Sequence, residues 1–358
     1  MQKTKRKFER DIASKSKDNP KAFWSFIRSK LKTKSGVAPL LSDENDETSI
    51  CFDDKGKSDI LQRQFCSVFV DEPDGTLPLF PRRTNAVLKH FVVNEERVRK
   101  EILDLNINKS CGPDEIHPRL LYELVDEIVA PLTLLFQKTL NDGNIPSDWG
   151  KAYVTPIYKK GKKNIAENYR PISLTSIPCK IMEKIVKEGI MHHLLNNSLL
   201  SSKQFAFLNG RSTVTQLLKF LDDCMEIIVN GGVVDTIYMD FSKAFDKVPH
   251  RRLLHKLKAY GVNGPALNWI KAFLSNREQI ITVNGEKSYQ ASVLSGVPQG
   301  SVLGPLLFLV YINDLPEHVS SLIYLFADDT KIANKVASAK DAEQIQDDLN
   351  SLSNWSST

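Results

Sequence analysis

From Asn94 onward the apolar positions fall into clear rhythms. Val98, Ile102 and Leu105 recur at helical spacing behind Asn94, a residue suited to a helix N-cap. Residues 116–141 keep helical apolar spacing, interrupted by Pro118 and Pro131, until Gly143 and Pro146 stop the region. Residues 151–158 read as a strand that Pro156 confines to an edge or a bulge. The Lys160-Gly161-Lys162 turn and a returning strand over 168–174 complete a flap with lysines at its tip. Residues 180–196 and 212–229 read as helices, the second capped by Ser212 and closed by Gly231-Gly232.

Beyond them, an apolar strand from Val233 ends at Asp240, and a helix-like pattern follows. Leu253, Leu254, Leu257 and Tyr260 define one further helix, and Pro265 opens another with Ile270, Phe273 and Leu274 inward. Residues 279–283 and 290–294 flank an Asn284-Gly285 turn, a strong hairpin signal. A glycine- and proline-rich loop, Ser295 to Ser301, precedes an apolar helix over 302–312. Between Ser321 and Val336 two apolar runs flank Asp328-Asp329, the pattern of a second tight hairpin. Ile345, Leu349, Leu352 and Trp355 then share one helical face. Hairpins outnumber crossovers, so the pattern predicts an α+β fold, a sheet with helices on one face. Ahead of Asn94 the signal weakens. Residues 37–80 read as linker with one short helix near Ile60 to Phe69, and 1–36 as a basic amphipathic helix around Phe8, Ile12, Phe23, Trp24 and Ile27.

Length and composition narrow this picture. A chain of 358 residues suits two or three domains, and 41% hydrophobic content is that of a soluble globular protein. No apolar run reaches membrane-spanning length, so no membrane partner is expected. The Lys/Arg-rich N-terminus lacks the apolar core of a secretory signal. Five cysteines without Cys-x-x-Cys spacing speak against a zinc site and a disulfide framework. The net charge of +5 is modest but unevenly spread. Twelve Lys/Arg against three Asp/Glu occupy residues 1–36, and Lys159, Lys160, Lys162 and Lys163 form a second basic run. Such clusters suit a polyanion, although a solvated charged face is the plain alternative.

Two carboxylates side by side repel each other and resist burial. At the tip of an apolar hairpin, Asp328 and Asp329 either sit in water or bind a cation. If the strand ending at Asp240 neighbours that hairpin, three carboxylates converge on one point. Hard oxygen ligands suit Mg²⁺, and two ions about 3.5–4 Å apart activate an attacking oxygen and stabilise a leaving one. This reading requires Asp240 within about 10 Å of the hairpin tip.

Four blocks together carry a resemblance: Asn168-Tyr-Arg-Pro-Ile-Ser, Tyr238-Met-Asp-Phe-Ser-Lys-Ala-Phe-Asp, Ser295-Gly-Val-Pro-Gln-Gly-Ser and Phe326-Ala-Asp-Asp. From about Asn94 to its end the chain resembles a non-LTR retrotransposon reverse transcriptase, like those of jockey-type elements. The resemblance implies a right-hand polymerase of fingers and palm with an antiparallel palm sheet. Residues 1–80 would be a basic and acidic N-terminal linker region, 81–232 the fingers-rich helical and β-flap part, and 233–358 the palm, with the loop 290–305 between them and the thumb absent. It implies Asp240, Asp328 and Asp329 as catalytic residues holding two Mg²⁺ ions (or Mn²⁺ in their place), with the Phe241 carbonyl as a further ligand. Lys159, Arg170, Lys243, Ala244, Phe245, Gln299 and Gly300 would meet the incoming nucleotide, Phe245 as a steric gate against a 2′-hydroxyl. Lys160, Lys162, Lys163 and Arg211 would touch the template.

The implied partners are an RNA template, a DNA primer or target and a dNTP, handled in a nuclear and cytoplasmic ribonucleoprotein rather than outside the cell. Residue patterns leave the oligomeric state open. Asp246 reads as a carboxylate in a helix's first turn rather than a metal ligand. Ala206 stands where the family usually carries glycine, and Leu208 where it carries a basic residue. No endonuclease segment precedes the basic region, and the family's later palm lysine, primer grip and thumb are not found. The competing expectation is therefore a truncated, inactive remnant that still binds nucleic acid. A group II intron maturase or RNA-templated RNA polymerase is a third reading, against which the aromatic Phe245 argues.

Overall fold

A computed structural model of the chain describes residues 36–357, apart from Glu44, Asp74, Lys89 and His90. The basic helix expected around Phe8 to Ile27 lies outside the described residues.

Two sheets organise the fold. In the first, β5 (Val233–Met239), β9 (Leu322–Phe326) and β10 (Asp329–Val336) form an antiparallel sheet of order β5-β10-β9. Their inward residues, among them Ile237, Ile323, Leu325 and Ile332, join the larger core. The second sheet runs β4-β3-β6-β7, with β8 also beside β6. Its strands are β3 (Lys151–Tyr158), β4 (Tyr169–Leu174), β6 (Arg277–Val283), β7 (Glu286–Lys287) and β8 (Ala291–Val293). The flap is β3 and β4, paired antiparallel, and Pro156 lies opposite Pro171 in it. Because β6 accompanies β3 only as far as Val154, the missing N–H of Pro156 breaks no bond on that side. Asn284 and Gly285 both have left-handed φ, 53° and 97°, as the predicted turn requires.

The stretch read as linker is instead part of the second sheet's packing. Beyond a short ladder of β1 (Leu40–Leu41) and β2 (Ile50–Cys51), helix α1 (Asp54–Cys66) lies on β6. Leu40, Ile60, Leu61 and Phe65 form a smaller core with Ala152, Val154, Tyr169, Ile281 and Val283. Helix α1 begins earlier than its apolar residues suggest, because the Asp53 side chain accepts the Gly56 N–H and caps it.

The remaining helices surround the larger core. As expected, Asn94 caps α2 (Glu95–Leu103) by accepting the Arg97 N–H. Pro118 does not interrupt a helix but opens α3 (Pro118–Glu123), where its missing N–H is harmless. Pro131 sits inside α4 (Val125–Asp142), held by buried Val129, Phe136 and Leu140, and Gly143 at φ 61° ends it. The buried helix α5 (Ile177–Asn196) runs through this core. Helix α6 (Thr213–Val229), capped reciprocally by Ser212 and Thr215, covers the opposite face of the three-stranded sheet. There Phe220 meets Tyr324 edge-on, and the Lys331 ammonium stands 3.5 Å from the centre of the Phe220 ring. Helices α7 (His250–Ala259), α8 (Gly264–Leu274) and α9 (Gly304–Ile312) follow. Helix α10 (Ala339–Ser357) buries Ile345 and Leu352 and packs Leu349 and Trp355 against the core, the predicted face. Among the described residues, no helix is long and apolar enough to cross a membrane.

Candidate active site

The hairpin β9–β10 pairs Phe326 with Asp329, so its turn is only Ala327 and Asp328. Ala327 takes a left-handed φ of 57°. On the other side β10 pairs with β5, the last pair being Thr330 with Met239. Continued one step further, that register would set Asp240 across from Asp329. Neighbouring strands run about 4.7–4.9 Å apart, a spacing that would put Asp240 within the distance the sequence reading requires. Asp240 and Asp329 are exposed, and Asp328 is half-buried. Burial pushes the Asp328 carboxyl above the usual range, and the charges of Asp329 and Asp240 add to it. Its own backbone N–H and the Lys159 ammonium pull it back. Among the described residues, no three His, Cys, Asp or Glu side chains already meet as a metal cage. The donor set is all carboxylate oxygen, and its mutual repulsion is what a divalent hard cation relieves.

After Asp240 the chain departs from expectation. Residues 242–246 form turns, not a helix, and α7 starts only at His250. Lys243 has φ 54°, and the backbone pairs with the distant loop instead: Gly296 N–H donates to the Val248 carbonyl and Val297 N–H to that of Phe245, each 2.8 Å. A Cβ on Gly296 would sit 2.7 Å from the Asp246 backbone, so only glycine permits this approach. Asp246 is thus no helix-end carboxylate. Its carboxyl is mostly buried and pushed up by that burial, while accepting the Gln299 amide N–H at 2.9 Å. The Phe245 ring lies flat on Phe308, centroids 4.3 Å apart, and meets Phe207 edge-on. Ala244 packs against the same core.

The loop also docks on the flap. The Gln299 carbonyl accepts the Ser173 N–H at 2.8 Å, and Gly300, at φ 103°, lies against the Ser173 carbonyl. Lys243 Nζ reaches the Glu167 carbonyl at 3.3 Å, so the turn after Asp240 touches the flap as well. Lys159 is exposed at the flap's end and acts on Asp328 through its charge. Arg170 is exposed on β4, opposite Ile157. Lys160, Lys162 and Lys163 are exposed at the tip, with the Lys163 ammonium 5.5 Å from the Tyr158 ring centre. Arg211 is placed differently from a free cation. Its guanidinium donates to the carbonyls of Ser201 and Ser202, each 3.1 Å, and of Gln204, and lies against the Phe205 ring.

Two residues of this region escaped sequence reading. Glu183 on α5 is fully buried and accepts the Val302 and Leu303 N–H groups, 2.7 and 3.0 Å away, just ahead of α9. Burial raises its carboxyl, and those N–H groups lower it. His250 donates a ring N–H to the Gly296 carbonyl at 2.7 Å, and burial lowers its pKa. A charged residue among the apolar positions of α5 was the one local sign of Glu183; His250 carried none.

Comparison with known proteins identifies the family. Residues 157–358 match the family model described as reverse transcriptase (RNA-dependent DNA polymerase). The RNA-directed DNA polymerase from mobile element jockey of Drosophila melanogaster is 32% identical over 74% of this chain and 30% of its own length. The probable RNA-directed DNA polymerase from transposon BS of the same fly is 26% identical over 97% of this chain and 40% of its own. That from transposon X-element is 29% identical over 72% and 29%. The chain thus spans roughly a third of these relatives, between 29% and 40% of their length. The expected kinship with jockey-type elements is borne out.

Proposed function

The chain belongs to the reverse transcriptase family, and on that premise we propose that it is an RNA-directed DNA polymerase that extends a DNA primer on an RNA template. In this reading the three-stranded sheet is the palm of a right-handed polymerase, within 233–358. The flap and the helices of 81–232 are the fingers, and 290–305 is the loop between them. Asp240, Asp328 and Asp329, with the Phe241 carbonyl, would hold the metal ions. Two Mg²⁺ ions (or Mn²⁺), when bound there, would supply acidity toward the primer 3′-hydroxyl and positive charge beside the departing pyrophosphate. Lys159 and Arg170 grip the triphosphate from the flap, one as a point charge and one as a planar fork. Phe245, braced by Phe308, closes the space a ribose 2′-hydroxyl would need. Gln299 and Gly300 hold the loop against the flap beside the nucleotide, with Lys243 and Ala244 on the turn below. Lys160, Lys162 and Lys163 meet template phosphates, and Arg211 supports the template side by bracing its own loop. RNA, primer and dNTP would be handled inside the cell, in a ribonucleoprotein.

The observation that supports the reading is the register of β5 and β10, which ends one residue short of both Asp240 and Asp329, beside a half-buried Asp328 whose carboxyl burial pushes up. Primed poly(rA), dTTP and Mg²⁺ test it. The chain should incorporate dTMP, and the Asp328→Ala/Asp329→Ala variant should not. Template binding without incorporation would overturn the reading in favour of a nucleic-acid-binding remnant.

A further inference from the structure

Ala327 occupies a conformation that an L side chain resists, immediately before the acid pair. Such a residue persists where its surroundings leave it no alternative. The surroundings here come from a segment more than a hundred residues away. Residues 203–205 run beside the end of β9: Leu325 N–H donates to the Lys203 carbonyl and Phe205 N–H to the Leu325 carbonyl, each 2.9 Å. Between them, the buried Gln204 side chain reaches the turn. Its Oε1 accepts the Ala327 N–H at 2.9 Å, and its Nε2 donates to the Ala327 carbonyl at 3.3 Å. Both ends of one amide are thus committed to the backbone of one residue, while Oε1 also accepts the Ala206 N–H at 2.9 Å.

We propose that Gln204 is a positioning residue for the acid hairpin: its amide clamps Ala327 and so fixes where Asp328 and Asp329 stand against Asp240. Arg211 belongs to the same device, because its guanidinium ties together the carbonyls of Ser201, Ser202 and Gln204. The clamp rests on geometry alone; its effect on catalysis rests on the polymerase reading above. Gln204 touches no substrate. It acts by removing the turn's freedom to swing the two carboxylates out of line, and alignment dominates phosphoryl transfer.

The test uses the 358-residue chain, its Gln204→Met variant, which keeps the side chain's length without its amide, and Gln204→Met/Ala327→Gly. Hydrogen exchange of peptides covering 322–331 and steady-state primer extension are measured on each. In Gln204→Met the Ala327 amide should exchange faster. The kcat should fall about 10- to 100-fold, the cost of a small misplacement, and the Mg²⁺ needed for half-saturation should rise, with KM for dTTP little changed. Glycine adopts the left-handed turn without strain, so the double variant should recover part of the lost kcat. Unchanged exchange in Gln204→Met would overturn the clamp. So would faster exchange with kcat intact, or a loss that Ala327→Gly does not relieve. An inert parent chain removes the polymerase reading and the catalytic consequence with it, and the exchange comparison still decides whether the clamp exists.

Discussion

Asp328 is the residue on which charge and burial pull hardest. Burial raises its carboxyl first, and Asp329 and Asp240 raise it further. The ionised form is the one that can ligate a cation, so protons compete with metal. As pH falls through this raised pKa, metal is lost, and polymerisation should show an acid limb above the ordinary aspartate value. Asp329→Asn removes one raising charge. In a titration of Mn²⁺ binding against pH, the limb should therefore move to lower pH, even as overall affinity drops. An unmoved limb would mean that Asp329 does not act on Asp328. Phe245 makes a second prediction at this scale. Its ring is fixed against Phe308, so a smaller side chain opens space rather than letting the ring fold away. Phe245→Val should cut discrimination against rNTPs by about 10- to 100-fold, the size of effect that a few methyl groups in a pocket exert. Competition between dTTP and UTP on poly(rA) measures it.

Among elements, the loop 295–301 shows best what local pattern can and cannot reveal. Its glycines and proline marked it as special, and the neighbouring hairpin with Asn284-Gly285 formed as its turn chemistry dictates. What it does to the chain after Asp240 was not visible. Helical apolar spacing there loses to backbone hydrogen bonds from Gly296 and Val297, and the Asp246 carboxyl finds its partner Gln299 53 residues away. The acid pair and Asp240 were legible because strand and hairpin patterns are local and the two carboxylates are adjacent. The supporting residues Gln204, His250 and Glu183 were not, because each acts on backbone groups that only the folded chain brings near. Glu183 is the anchor of the helix behind the loop. Glu183→Ala would leave the part-buried Val302 N–H and the buried Leu303 N–H without acceptors. Denaturant unfolding should show a loss of about 2–4 kcal/mol, one to two orphaned buried groups' worth. A loss under about 0.5 kcal/mol, within the range of ordinary surface substitutions, would show that water replaces the carboxylate.

At the scale of the whole molecule, the two cores hold different parts of the candidate site. The larger one carries the acids, and the smaller one, built by α1 on the second sheet, carries the flap with Lys159 and Arg170. Residues read as linker therefore hold in place the flap that carries Lys159 and Arg170. Their sparse apolar pattern, three residues in a mostly polar helix, gave too little periodicity to reveal this. Leu61 is fully buried there. Leu61→Ala should destabilise the chain by about 2–5 kcal/mol. If the smaller core unfolds first, limited proteolysis should cut at 40–70 before the acid hairpin. Cleavage in the hairpin first would mean the two cores unfold together.

All of this turns on three acids, two adjacent and one almost ninety residues earlier, sharing one cation-binding edge. Electron paramagnetic resonance of Mn²⁺ titrated into the chain with dTTP reads that directly. Bound Mn²⁺ should appear with the parent chain and fall to the level of free nucleotide alone in both Asp240→Asn and Asp328→Asn. Asp240→Asn binding Mn²⁺ as the parent does, while Asp328→Asn does not, would contradict it.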